Sequence, residues 1–284
     1  MAGSEYQWTI CELLRRIDMT VVGGMGCRAN PIAVSRPTGF VVPLYSYPTS
    51  GGNTAHWNTL RNAKIAFPQI PMFAILNPGN GPNLTVDNNY TSGIAYLQSV
   101  GIKCLGYVFT SYGIGVSGVV THDETQCKND VSGWKTLYPT MDGIMFDECA
   151  NTNNSGMIAF YTRQYNHVKA NNLQYVVQNP GADTLIDYMS CSDIITVSEG
   201  ALNYPTIDTT FKNKWAPYKR RVHVEAYSMS GLQPFSDASG KTWFNNANKA
   251  VGYIYLTEDG LDGNAWDSTT GNMSGECSLL LSNR

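Results

Sequence analysis

Charge is what this sequence has least of. Asp, Glu, Lys and Arg make up 14% of its 284 residues, against roughly 25% in an ordinary soluble protein, and the net charge is −3. The densest basic run is Lys219-Arg220-Arg221. Phosphate backbones and anionic membrane surfaces need broader cationic patches, so nucleic acid is excluded as a partner. No stretch stays apolar for the ~20 residues that a transmembrane helix requires. Thr9 to Met25 is interrupted by Glu12, Arg15, Arg16 and Asp18 and lacks the continuous apolar core of a signal peptide.

Metal and cofactor signatures are missing as well. The seven cysteines (Cys11, Cys27, Cys104, Cys127, Cys149, Cys191 and Cys277) contain no CxxC, which argues against a zinc site or a thioredoxin-type motif; their odd number leaves at least one unpaired. His56, His122, His167 and His223 never fall at ligand spacing and read as surface or packing residues, so no metal is expected. Gly51-Gly52 stands without GxGxxG spacing, and there is no P-loop. No cofactor is expected.

What is present is a repeated pattern of short apolar runs that end in polar or aromatic clusters. The clearest is Asp142 to Glu148, DGIMFDE, where four small or apolar residues lead into two adjacent carboxylates. Seven more runs read as strands: Phe40 to Pro48, residues 71–78, 103–110, 174–180, 194–200, 222–227 and 251–259. Helical stretches separate them, among them one from about Thr54 to Ala66, one from Tyr90 to Val100 closed by Gly101, one from Glu124 to Leu137 and one from Gly156 to Asn171. Crossovers long enough for a helix imply parallel strands, and eight such units predict an α/β fold, a single (β/α)8 TIM barrel. The rival, an open doubly wound sheet, lacks its Gly-rich fingerprint. The expected organisation is an irregular N-terminal extension over residues 1–38 and one barrel over 39–284.

A barrel does its chemistry at the carboxyl ends of its strands. Here those ends carry Tyr45, Tyr47, Asn77, Thr110, Tyr112, Asp147, Glu148, Asn179, Glu199, Glu225, Glu258 and Asp259. Acids, amides and aromatics without Lys or His disfavour Schiff-base chemistry and His-rich metal hydrolysis. They suit glycoside hydrolysis, in which one carboxyl group protonates the leaving oxygen and another acts as nucleophile or activates water. Tyr107 and Tyr253 sit mid-strand and read as packing residues, whereas Tyr45, Tyr47 and Tyr112 read as sugar platforms.

The runs VVPLYSYP, AILNPGNGP, GYVFTSYG, DGIMFDE and VSEG, in that order, resemble the spherulin-4-like glycoside hydrolases over most of the chain from Phe40 onward. The resemblance implies a single (β/α)8 barrel and endo-hydrolysis of galactosaminogalactan, an α-1,4-linked biofilm polysaccharide of N-acetylgalactosamine and galactosamine. It implies that Asp147, Glu148 and Glu199 are the catalytic acids. Thr196-Val197-Ser198, before Glu199, departs from the aromatic expected there. The expected site is therefore Asp147 as nucleophile or electrostatic stabiliser, Glu199 as general acid/base and Glu148 tuning its neighbour, with Tyr45, Tyr47, Asn77, Thr110, Tyr112 and Asn179 holding the polysaccharide. The alternatives are a non-catalytic carbohydrate-binding barrel or a glycosidase acting on a different sugar. Sequons at Asn83, Asn89, Asn153 and Asn272, the low charge and the resemblance point to an extracellular or cell-wall glycoprotein, expected to be a monomer.

Overall fold

The computed structural model describes residues 38–48, 53–113, 122–152, 156–229, 238–260 and 263–282. Residues 1–37 of the expected extension, the sequon at Asn153, and Cys11 and Cys27 lie outside them. Eight strands run parallel and in sequence order around a closed barrel: β1 (Gly39–Pro43), β2 (Met72–Leu76), β3 (Lys103–Phe109), β4 (Gly143–Asp147), β5 (Tyr175–Gln178), β6 (Ile194–Ala201), β7 (Val222–Tyr227) and β8 (Tyr253–Leu256). β8 closes on β1 through the pairs Gly39 with Tyr253 and Phe40 with Ile254. The helices are α1 (Asn53–Ala66), α2 (Asn88–Gln98), α3 (Glu124–Leu137), α4 (Met157–Ala170), α5 (Thr209–Trp215), α6 (Ala238–Ala250) and α7 (Met273–Ser282). Among the described residues no helix is long and apolar enough to cross a membrane.

Local chemistry explains where elements begin and stop. Asp123 and Gln126 form a reciprocal capping box that starts α3, and Asp87 and Asp208 accept from backbone N–H groups at the starts of α2 and α5. The connection between β5 and β6 is tighter than expected. Where the apolar pattern suggests a short helix from Asp183 to Met189, it holds a 3-10 turn, Ile186–Ser190. Thr38, assigned to the extension from sequence, is buried and donates to Asn248 Oδ1 at 2.7 Å, so the barrel includes it. A closed barrel has no edge to accommodate Pro43. Phe40 and Leu44 donate to β2 and Gly39 to the β8 side, and the missing N–H of Pro43 has the parity of Gly39, facing β8 beyond the last pair of that ladder.

Alternation divides the core in two. Val41, Phe73, Ile75, Leu105, Tyr107, Met145, Val177, Ile194 and Tyr253 fill the barrel interior, while a larger cluster that includes Phe40, Val108, Phe146 and Val224 packs outward against the helices. Tyr253 packs edge-on against Phe73 at 5.6 Å, as a packing residue should. Gly106 is required by the outer layer: a Cβ there would lie 2.4 Å from the Trp134 ring. Trp134 is thereby seated flat on β3, and its Nε1 donates to the Tyr107 carbonyl at 2.8 Å. That fixes β3 where Tyr107 points inward. The five described cysteines are free and buried.

Candidate active site

β4 delivers Asp147 to the barrel axis as its last residue. Asp147 is in register with Phe109 of β3, which also faces inward. Tyr107 Oη donates to Asp147 Oδ2 at 2.9 Å, and Asn179 Nδ2 donates to Asp147 Oδ1 at 2.9 Å. Burial pushes this carboxyl above its ordinary range. Hydrogen bonds from the Glu148 backbone, Tyr107 and Asn179 act in the opposite direction by stabilising the anion.

Asp147 and Glu148 are adjacent and would face opposite ways on a continuing strand. The chain turns instead, with Glu148 at φ 51°. Ser111 and Tyr112, just past the neighbouring strand β3, also have positive φ, 48° and 58°. Such backbone costs on the order of 1–3 kcal/mol per residue and needs external support. The support is visible: Thr110 N–H donates to the Asp147 carbonyl and Tyr112 N–H to the Glu148 carbonyl, while Thr110 Oγ1 donates to both carbonyls. Glu148 is half-buried, and its pKa is raised by partial desolvation and then by the Asp147 charge.

Glu199 reaches the axis through an irregularity. β6 pairs Thr196 with His223 but Glu199 with Glu225, so three steps along β6 match two along β7. On a regular strand with no bulge between Thr196 and Ser198, the inward parity of Ile194 and Thr196 would continue to Ser198 and turn Glu199 toward the helices. The bulge re-aims it inward. It sits at Thr196-Val197-Ser198, where the sequence departs from the expected aromatic. Asn179 Nδ2 donates to Glu199 Oε2 at 2.8 Å. Burial raises the Glu199 pKa most and the Asp147 charge adds to it, while hydrogen bonds from Asn179 and Trp266 oppose. Asn179 is itself oriented by Gly181 N–H, which donates to its Oδ1 at 2.8 Å. Gly181 holds φ +64°, and a Cβ there would lie 3.5 Å from Glu199 Oε2.

Because one nitrogen contacts both acids, the sum of the two bonds bounds the separation of Asp147 Oδ1 and Glu199 Oε2 at below about 6 Å. Two carboxyl groups this close in a buried site do not both ionise freely. One anion beside one protonated acid is the arrangement that acid-assisted displacement at an acetal carbon needs.

The remaining sequence-selected residues divide by place. Tyr45 lies at the floor, edge-on to Tyr107 at 5.7 Å, with its hydroxyl pKa raised well above the ordinary value by burial and by Asp147, Tyr107, Glu225 and Glu199. Tyr112 is 48% exposed, and its hydroxyl pKa is raised by partial burial and then by the charges of Glu148, Asp147 and Glu199. Asn77 follows inward-facing Phe73 and Ile75, and its buried Oδ1 has no hydrogen-bond partner among the described residues. Tyr47 is 39% exposed and is bonded outward, to Asp87 Oδ2 and Asn89 Nδ2. Thr110 is fully buried, and its hydroxyl is spent on the Asp147 and Glu148 carbonyls and Tyr161 Oη. It is a brace beneath the site, not a sugar contact.

Tyr107 is the reverse correction. Read from sequence as packing, it is a direct partner of Asp147, since a tyrosine hydroxyl buried in a barrel needs an acceptor and reaches one layer toward the mouth. Nothing in the sequence marks Trp266, which donates to Glu199, or the depth of Glu225, which is 2% exposed.

Two facing carboxyl groups, on β4 and β6, thus sit at the mouth of a closed parallel (β/α)8 barrel. Residues 39–280 match Spherulation-specific family 4, and the chain belongs to that family. It is 29% identical over 274 residues to Spherulin-4 of Physarum polycephalum, covering 94% of this chain and 76% of that one. Among solved structures it is similar to Aspergillus clavatus Sph3 in complex with GalNAc, with TM-score 0.71 and 23% identity over 87% of this chain and 98% of that one. An endo-beta-N-acetylglucosaminidase from Cordyceps militaris, solved as a double mutant in complex with fucosyl-N-acetylglucosamine-Asn, matches with TM-score 0.55 and 12% identity over 92% of this chain and 97% of that one.

Proposed function

We propose that this chain is an endo-acting glycoside hydrolase that cleaves a galactosaminogalactan-like polysaccharide of N-acetylgalactosamine and galactosamine, with residues 38–284 as the hydrolase barrel. The observation that carries the reading is the Asp147–Asn179–Glu199 bridge. The GalNAc bound to the similar Sph3 supports the choice of sugar.

In this reaction Asp147, kept anionic by Tyr107 and Asn179, attacks the anomeric carbon, and protonated Glu199 gives its proton to the leaving oxygen. Water, giving a proton to Glu199, then attacks C1 and breaks the Asp147–C1 ester, which releases the Asp147 carboxylate and restores the Glu199 acid. The close approach of the two carboxyl groups favours retention of configuration. Glu148, at the rim, tunes the charge at Asp147, and Tyr45, Tyr112 and Asn77 line the path of the sugar. Such a polymer is extracellular, and we place the enzyme outside the cell or at the cell wall, acting as a monomer.

The test is incubation of the purified chain with galactosaminogalactan, chitin, α-galactan and poly-N-acetylglucosamine, followed by reducing-end detection. New ends from the first polymer support the reading. Ends only from another polymer reassign the sugar, and binding without new ends identifies a carbohydrate-binding barrel.

A further inference from the structure

Deep to the catalytic pair lies a carboxyl group that the reaction as described leaves unused. Glu225 is 2% exposed and faces the interior in register with Glu199. Neighbouring strands are about 4.8 Å apart, so the two side chains emerge side by side. Glu225 Oε2 has no hydrogen-bond partner among the described residues, and neither does His223 Nε2, 3.9 Å away on the same strand.

The groups facing Glu225 are Glu199 from β6, Asp147 from β4, Tyr45 from the end of β1, Tyr255 in register on β8, and His223 on its own strand. None supplies a cation. Burial pushes His223 down to about 3, so its ring is neutral; its Nδ1 is engaged with Thr196 Oγ1 at 2.9 Å. Among the described residues no Lys or Arg pairs with Asp147, Glu199 or Glu225. An unpaired buried carboxyl group takes up a proton rather than bear the desolvation of its charge. Burial, then Glu199 and Asp147, raise the Glu225 pKa well above the ordinary value. Glu225 is thus held as a neutral acid, and its Oε2 has no hydrogen-bond partner among the described residues in the resting state.

We propose that Glu225 is a positioning residue, kept neutral so that its O–H donates to the Glu199 carboxylate as Glu199 gives up its proton. The inference rests on Glu199 being the acid/base of the proposed hydrolysis. While Glu199 is protonated it offers little to Glu225. When the C1–O bond breaks, the leaving oxygen takes the Glu199 proton and Asp147 bonds to C1, leaving the negative charge on Glu199. The Glu225 O–H then gains a charged acceptor. Glu225 keeps its own proton throughout, and the interaction is strongest where charge develops, which is where it accelerates the step. An apolar residue at this depth would pack well, and the Glu225 side chain gives up that stability for a buried donor.

The test compares Glu225→Gln, which keeps a donor of the same shape, with Glu225→Met, which removes it. The full chain is used in three measurements: kcat and KM on galactosaminogalactan across the pH range, thermal melting, and carboxyl carbon-13 NMR titration of Glu199, assigned with Glu199→Gln. The expected result is that the Met variant melts no lower than wild type, loses about tenfold to hundredfold in kcat at unchanged KM, and titrates Glu199 at higher pH. The Gln variant should keep most of kcat and leave the Glu199 titration near that of wild type. Full kcat in the Met variant, equal losses in both variants, or an unmoved Glu199 titration would overturn the proposal. If wild type cleaves no polymer, the hydrolase reading fails, and the Glu199 titration still decides whether Glu225 donates to it.

Discussion

Asp147 and Glu199 share one hydrogen-bond donor, Asn179 Nδ2, at 2.9 and 2.8 Å. They come from strands that are not neighbours, and the strand between them supplies the amide. The bridge holds both acids at one spacing and lowers the proton affinity of each against the burial that raises it.

Asn179→Ala removes that restraint from both carboxyl groups. Each is then more easily protonated, so the acid limb of the kcat/KM profile, which the proposed mechanism assigns to Asp147, moves to higher pH, and so does the alkaline limb, which it assigns to Glu199. The expected loss at the optimum is about tenfold or more. A profile that keeps its shape and only falls in height would show that Asn179 serves packing alone.

Tyr107→Phe tests the second support of Asp147. The ring keeps its packing inside the barrel, and only the 2.9 Å bond to Oδ2 is lost. A hydrogen bond to a charged group is worth about 1.5–3 kcal/mol, so kcat/KM should fall roughly tenfold to hundredfold and the melting temperature should drop by several degrees. The acid limb should rise, because the Asp147 anion has lost a donor.

Glu276, on α7, provides a stability test away from the site. It is fully buried, and neither carboxyl oxygen has a hydrogen-bond partner among the described residues. Burial, then Glu258, raises its pKa well above the ordinary 4.5. Its contribution to stability is therefore fully present below the unfolded value and is lost as pH rises through the raised folded value. Glu276→Met should stabilise the protein at neutral pH by about 1–3 kcal/mol. Chemical denaturation at neutral and at acid pH should show that gain shrinking toward the acid end.

Much of the fold was legible because the apolar runs and the caps agree. Strand β7 and helix α3 have the bounds expected from sequence, since Val222 to Tyr227 alternates cleanly and Asp123 marks the start of its helix. Asp147 was legible as the end of an apolar run. The inward aim of Glu199 was not, because it depends on one extra residue in β6 that register alone reveals. Tyr107 and Thr110 exchanged roles for a related reason. A long side chain mid-strand can reach the mouth, and a short hydroxyl at the strand end can be consumed by neighbouring carbonyls. Neither property is visible without knowing which face of β3 is inward.

Proton NMR of the anomer first released from the polymer tests the spacing of the acids. With the nearest oxygens below about 6 Å apart, retention is expected. Net inversion would contradict the proposed double displacement and would reassign Asp147 from nucleophile to base.

The most direct measurement is the rate of reducing-end release from galactosaminogalactan by wild type, Asp147→Asn and Glu199→Gln, with a melting curve for each. Wild type should release new ends, and each variant should lose about two to four orders of magnitude in kcat while melting near wild type. Near-normal turnover by either variant would contradict the assignment of Asp147 and Glu199 as the catalytic pair.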